Sequence, residues 1–156
     1  MEYLFFYFSI AVVLIILIIS TYFRPLDFRS FVIGIATIAY TLVYETVLGG
    51  YFGLYYYLNP RDSIIYIVLA GVLLYPALNI IYTLFLPRNG KAALGYTAVW
   101  IAAMLIFEYL SIVSGTIVFT GWRPVPWSVI TYLVTYLWVY FLYKYLSSRR
   151  VEFKLS

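Results

Sequence analysis

Five stretches of nearly unbroken apolar residues, at roughly 3–23, 30–48, 64–86, 92–113 and 127–146, alternate with short polar, glycine-rich or proline-rich breaks. Each run is about the 20 residues that a helix needs to cross the hydrocarbon core of a bilayer. The pattern predicts an all-α protein, a five-helix transmembrane bundle forming one domain over 1–156. Five crossings put the two ends of the chain on opposite sides. Arg24-Pro25 and Leu86-Pro87-Arg88-Asn89-Gly90 make two tight turns, since proline disfavours helix in the residue before it. The breaks 49–63 and 114–126 are longer and richer in glycine and aromatic residues.

The first run has no basic residue before it and ends in "IISTYFRP" without a small-residue cleavage pattern. It therefore reads as a span and not as a secretion signal. Arg24, Arg29, Arg88, Lys91, Lys144, Arg149, Arg150 and Lys154 fall on one side of the predicted spans, and only Arg61 and Arg123 on the other. The positive-inside rule then predicts a cell-membrane, multi-pass protein with its N-terminus outside, its C-terminus cytoplasmic and a basic cytoplasmic tail over 147–156.

Composition strengthens this picture. The chain is 65% hydrophobic and 10% charged, with mean hydropathy +0.97, against about 45–50% apolar and about 25% charged in soluble domains. The net charge of +4 comes from residues at the edges of apolar runs, which makes it a topology signal and argues against a nucleic-acid partner. Cysteine and histidine are absent. Disulfides, thiolate nucleophiles, histidine bases and a typical transition-metal site are thereby excluded, and no cofactor or metal is expected.

Two segments echo one another: "YETVLGGYFGLYYYLNPRD" from residue 44 and "FEYLSIVSGTIVFTGWRPVP" from residue 107. Setting Gly53 on Gly115 aligns Tyr57 with Phe119 and Arg61 with Arg123, while Glu45 and Glu108 precede their glycines by eight and seven residues. Each unit reads glutamate, apolar turn, glycine, β-favouring piece, arginine, next span. The echo predicts a parallel internal repeat, spans 2 and 3 on spans 4 and 5; the competing reading is coincidence in a biased composition. "GLYYYL" and "GTIVFT" either pair as a short β ribbon formed by the two outer loops or lie flat at the interface.

At 1.5 Å per residue, Glu45 lies about 6 Å and Glu108 about 7 Å below the outer ends of their spans. Thr41, Thr37 and Gly34 continue the face of Glu45. Ser111, Gly115, Met104 and Thr97 share the face of Glu108, and Ser128, Thr131 and Thr135 form a stripe on the fifth span. With Tyr75, Asn79, Tyr82 and Thr83 on the third span, four polar stripes turned inward predict an outward-facing cavity holding both carboxylates. Glu45 and Glu108 are the catalytic candidates, because ionisable groups inside spans are expensive, about 2.5 kcal/mol or more at the centre, and so are functional candidates by default. Arg61, Arg123, Trp122, Asn79 and Tyr75 are the ligand-binding candidates. Each has a plainer reading: shallow glutamates reach water or an arginine, outer-loop arginines are solvated, Asn79 bonds between helices, and tyrosine and tryptophan form an interfacial belt.

Through Tyr75-Pro76, Leu86-Pro87, Glu108, Gly115, Gly121-Trp122 and Ser128, residues 40 to 135 resemble an uncharacterised family of short five-span membrane proteins common in spore-forming bacteria. The resemblance implies the five-span fold and no established activity; members often carry histidines, which this chain lacks. A thinner resemblance is to the small helical carotenoid cyclases, in which glutamates directly follow a span proline. Here Pro76 is followed by Ala77 and Leu78, so that signature fails.

The leading expectation is a non-enzymatic membrane subunit or small-amphiphile-binding protein. The alternatives are a membrane enzyme using Glu45 and Glu108 as acid and base on a lipid or isoprenoid, and an oligomeric proton- or cation-coupled transporter. Expected partners are membrane lipids, a small amphiphile or lipid ligand, and a second copy of the chain or a membrane partner protein.

Overall fold

Local chemistry sets where the helices begin and end. The Asp27 carboxylate accepts from the Ser30 backbone N–H at 3.1 Å, and the Asn89 side-chain oxygen accepts from that of Lys91 at 3.0 Å. Both are N-caps that satisfy donors a helix start leaves free. The computed structural model describes residues 2–153, with side chains from 2 to 148. The helices are α1 (Glu2–Phe23), α2 (Phe28–Tyr51), α3 (Ser63–Leu84), α4 (Gly90–Val113) and α5 (Val129–Phe153). Counting the turn Pro124–Ser128 that leads into α5, all five are long and apolar enough to cross a membrane.

The boundaries differ from the sequence expectation where the backbone leaves α-helical geometry. α2 runs on to Tyr51 through a π-helical turn, Thr46–Tyr51. A second π turn, Ala70–Leu74, stands just ahead of Pro76 in α3. Pro76 has no N–H to give to Val72 four residues back, and its ring would crowd that carbonyl; the wider turn relieves both. α3 stops at Leu84, two residues early, since Pro87 bars helical backbone at Leu86. The expected tail 147–156 is helical through Phe153, and Lys154 lies outside the described residues, as do the side chains of Arg149 and Arg150.

α3 is the central helix, touching α1, α2 and α5, while α4 packs on α5 and α5 on α2. Half of the most apolar window of α3 is buried, but only 11% of that of α4. Leu94, Val99, Ile106 and Tyr109 of α4 stand exposed, as do Leu133, Leu137 and Phe141 of α5. Such continuous apolar surface is unfavourable in water. The core holds Ile33, Ile67, Tyr82 and Val139 with almost no exposed area.

The two long breaks pair. Strands β1 (Tyr55–Tyr57) and β2 (Ile117–Phe119) form an antiparallel ribbon with Tyr55 opposite Phe119, Tyr56 opposite Val118 and Tyr57 opposite Ile117. Its backbone is satisfied beyond the ladder: the Leu54 carbonyl accepts from the amides of Thr120, Gly121 and Trp122, and Tyr57 N–H donates to Ser63 Oγ at 3.0 Å. Gly53 (φ +61°) and Gly115 (φ +77°) start the two segments in the left-handed region, where a side chain costs about 1–2 kcal/mol.

Candidate functional site

Beneath the ribbon, α2, α3, α4 and α5 enclose a hollow of about 110 Å³. The inward face of α2 supplies it, with Thr37, Thr41 and Glu45 all buried at helical spacing. Glu45 is only 8% exposed. Glu108 of α4 lines the same hollow, half-buried. The floor and walls are apolar, with Leu78, Met104 and Phe107, and the roof is Ile117, Phe119, Tyr55 and Tyr57 of the ribbon with Trp122 beside it. The roof rings lock edge to face: Tyr55 meets Phe119 at 6.2 Å and Trp122 at 6.0 Å between centroids.

Each carboxylate has its own donors. The Tyr57 hydroxyl reaches Glu45 Oε2 at 3.3 Å and shares a 2.7 Å hydrogen bond with the Tyr75 hydroxyl. Ser128 Oγ donates to Glu108 Oε1 at 2.6 Å, and Tyr132 O–H donates to Glu108 Oε2 at 2.9 Å. Trp122 Nε1–H in turn donates to Ser128 Oγ at 3.0 Å, so a chain of bonds joins the roof to the carboxylate. Burial first, and then the neighbouring Glu45 carboxylate, pushes the Tyr57 phenol well above its ordinary range. Tyr57 therefore stays a protonated donor throughout physiological pH.

The Tyr55 hydroxyl is the exception. It is buried and lies within electrostatic reach of Glu45, yet its placement makes no hydrogen bond of ordinary geometry among the described residues.

Of the residues singled out in the sequence, Glu45, Glu108, Tyr75, Asn79 and Trp122 all line the hollow. Asn79 donates to Thr37 Oγ1 at 3.1 Å, the helix-to-helix bond of its plainer reading. Arg61 and Arg123 do not line it; both are exposed on the loops around the ribbon. The residue that sequence reasoning missed is Tyr132. The signal was present, because Ser128 and Tyr132 are four apart and so share a helix face.

A second hollow lies at the opposite end, between the α1–α2 and α3–α4 turns, lined by Arg24, Arg29, Arg88 and Asp27 among others. Much of its charge is engaged internally. Arg29 pairs with Asp27 at 2.5 Å and bonds Ser147 Oγ, and Arg24 donates to the Leu84 carbonyl at 2.6 Å while standing over the Phe85 ring. Among the described residues, Arg24, Arg29, Arg88, Lys91 and Lys144 belong to this end of the bundle, and Arg61 and Arg123 to the ribbon end. No family model, no curated protein and no solved structure matches this chain.

Proposed function

We propose that this is a multi-pass membrane protein that binds a small amphiphile in the hollow under the ribbon, with its ribbon end and N-terminus outside the cell membrane and its basic end cytoplasmic. The observation that carries the reading is the hollow itself, an apolar chamber with two glutamates and their hydroxyl donors at one end of five membrane-length helices. A mostly apolar pocket with a few convergent polar groups is the usual form of a small-molecule site. The orientation rests on the distribution of Lys and Arg between the two ends. The motif resemblance to the five-span family of spore-forming bacteria belongs to the same proposal and brings no activity with it.

The reading includes an internal duplication of α2–α3 in α4–α5. Three features support it. Both glycines that open the ribbon strands have positive φ. The ribbon register has the symmetry that a two-fold axis would impose: the shift from Gly53 to Gly115 is 115 − 53 = 62, which makes 117 the counterpart of 55 and 119 that of 57, and the ribbon pairs 55 with 119 and 57 with 117. Finally, the π turn Thr46–Tyr51 takes up one residue more than an α turn, which absorbs the difference between eight and seven residues from glutamate to glycine. Glu45 and Glu108 then stand as counterparts on either side of one chamber.

The test is mass spectrometry of the protein purified in mild detergent. A stoichiometric small amphiphile is expected from the native chain and is expected to be lost when Thr135→Phe or Ser111→Leu fills the hollow. Equal recovery from the filled variants would remove the reading.

A further inference from the structure

We infer that the head group held in the chamber is a small organic ammonium, a protonated amine carried on an apolar chain. This rests on the amphiphile-binding reading above and names the chemistry of its ligand. Among the described residues the chamber is lined by two carboxyl groups and by no lysine or arginine, and neither glutamate takes part in an ion pair. The ribbon-end arginines, Arg61 and Arg123, are exposed and outside the lining. An anionic head would meet two carboxyls with no cation to hold it, whereas an ammonium brings the missing charge.

Hydrogen-bond capacity points the same way. A carboxylate offers about four lone-pair sites; Glu45 accepts one side-chain bond of ordinary geometry, from Tyr57, with the Tyr55 and Tyr75 hydroxyls within its electrostatic reach, and Glu108 accepts two. The Tyr55 hydroxyl, in the lining beside Glu45, adds an oxygen that makes no hydrogen bond of ordinary geometry among the described residues. Acceptors are thus in surplus, and an ammonium N–H group supplies donors and takes none. The surrounding Tyr, Phe and Trp rings add the quadrupole that attracts organic cations. Size sets the head: a cavity of about 150 Å³ accommodates benzene, so about 110 Å³ suits a head of roughly four or five heavy atoms.

The experiment is calorimetric titration of the full chain in nanodiscs at neutral pH with three probes of matched size: butylammonium, 1-butanol and butyrate. Saturable binding of butylammonium at least tenfold tighter than the other two is expected. Glu45→Gln and Glu108→Gln should each weaken it at least tenfold, and Tyr55→Phe about threefold, with 1-butanol affected little. If Glu45→Gln fails to fold, Glu108→Gln and Tyr55→Phe carry the test. Equal binding of 1-butanol, or preference for butyrate, overturns the ammonium assignment and leaves the amphiphile site standing. Absence of binding by all three overturns both.

Discussion

Glycine plays opposite parts at different places in this chain, and single substitutions separate them. At Gly115 the backbone sits at φ +77°, and an added Cβ would also meet Glu2 Oε2 at 3.3 Å. Gly115→Ala is expected to cost about 1–2 kcal/mol. For a chain of this length that lowers the melting midpoint by about 2–4 °C per kcal/mol. Gly95 lies inside α4 with open space where its Cβ would go, so Gly95→Ala should stabilise by about 0.5–1 kcal/mol. Thermal unfolding of the two variants in detergent checks both signs. Asp27 makes a second residue-scale case. Burial alone would raise its pKa, but hydrogen bonds from Arg29 and the Ser30 amide hold it below the ordinary carboxylate range. A lowered folded-state pKa gives stability that is present above the unfolded value and lost as pH falls through the folded one. The melting midpoint should therefore decline on acidification below about pH 4, near the unfolded carboxylate pKa, and Asp27→Asn should flatten that part of the decline.

Among the elements, the π turn at Thr46–Tyr51 is the informative one. A π turn carries one residue more than an α turn between the same flanks, so it is slack that can be removed. Deleting Val47, which is exposed in that turn, should return the segment to α-helix while Glu45 and the ribbon keep their relation. Its melting midpoint should stay within about 5 °C of the native value, a change of roughly 1–2 kcal/mol. Deleting Ile112 from α4, which is α-helical throughout, has no slack to draw on. It rotates Glu108 by about 100° relative to β2, one residue's turn at 3.6 per turn. That deletion should lower the midpoint by more than about 10 °C. Equal damage from the two deletions would show that the turn in α2 is not an inserted residue. The ribbon itself was half legible: Tyr-rich and β-branched segments after glycine announce strands, but local sequence did not choose between pairing and lying flat.

For the whole molecule, the testable property is orientation. With no native cysteine, single cysteines report it directly. In intact cells, a membrane-impermeant maleimide should label Arg61→Cys and leave Asn89→Cys untouched until the membrane is opened; the reverse pattern would invert the proposed topology. The sequence by itself determined the number of helices, their approximate ends and which charges share an end. Those features depend on the length of apolar runs and on prolines and caps, which act within a few residues. It also brought out Glu45, Glu108, Tyr75 and Asn79, because a polar group in an apolar run stands out, and Trp122 through the echoed loop segment. Only the tertiary structure decided that these residues surround one hollow, that Ser128 and Tyr132 hold Glu108 while Tyr57 reaches Glu45, and that Arg61 and Arg123 stay outside. The physical reason is azimuth. The direction in which a helix turns each face, and the register in which two distant strands meet, follow from packing between segments far apart in the chain, and no local pattern of residues contains that information.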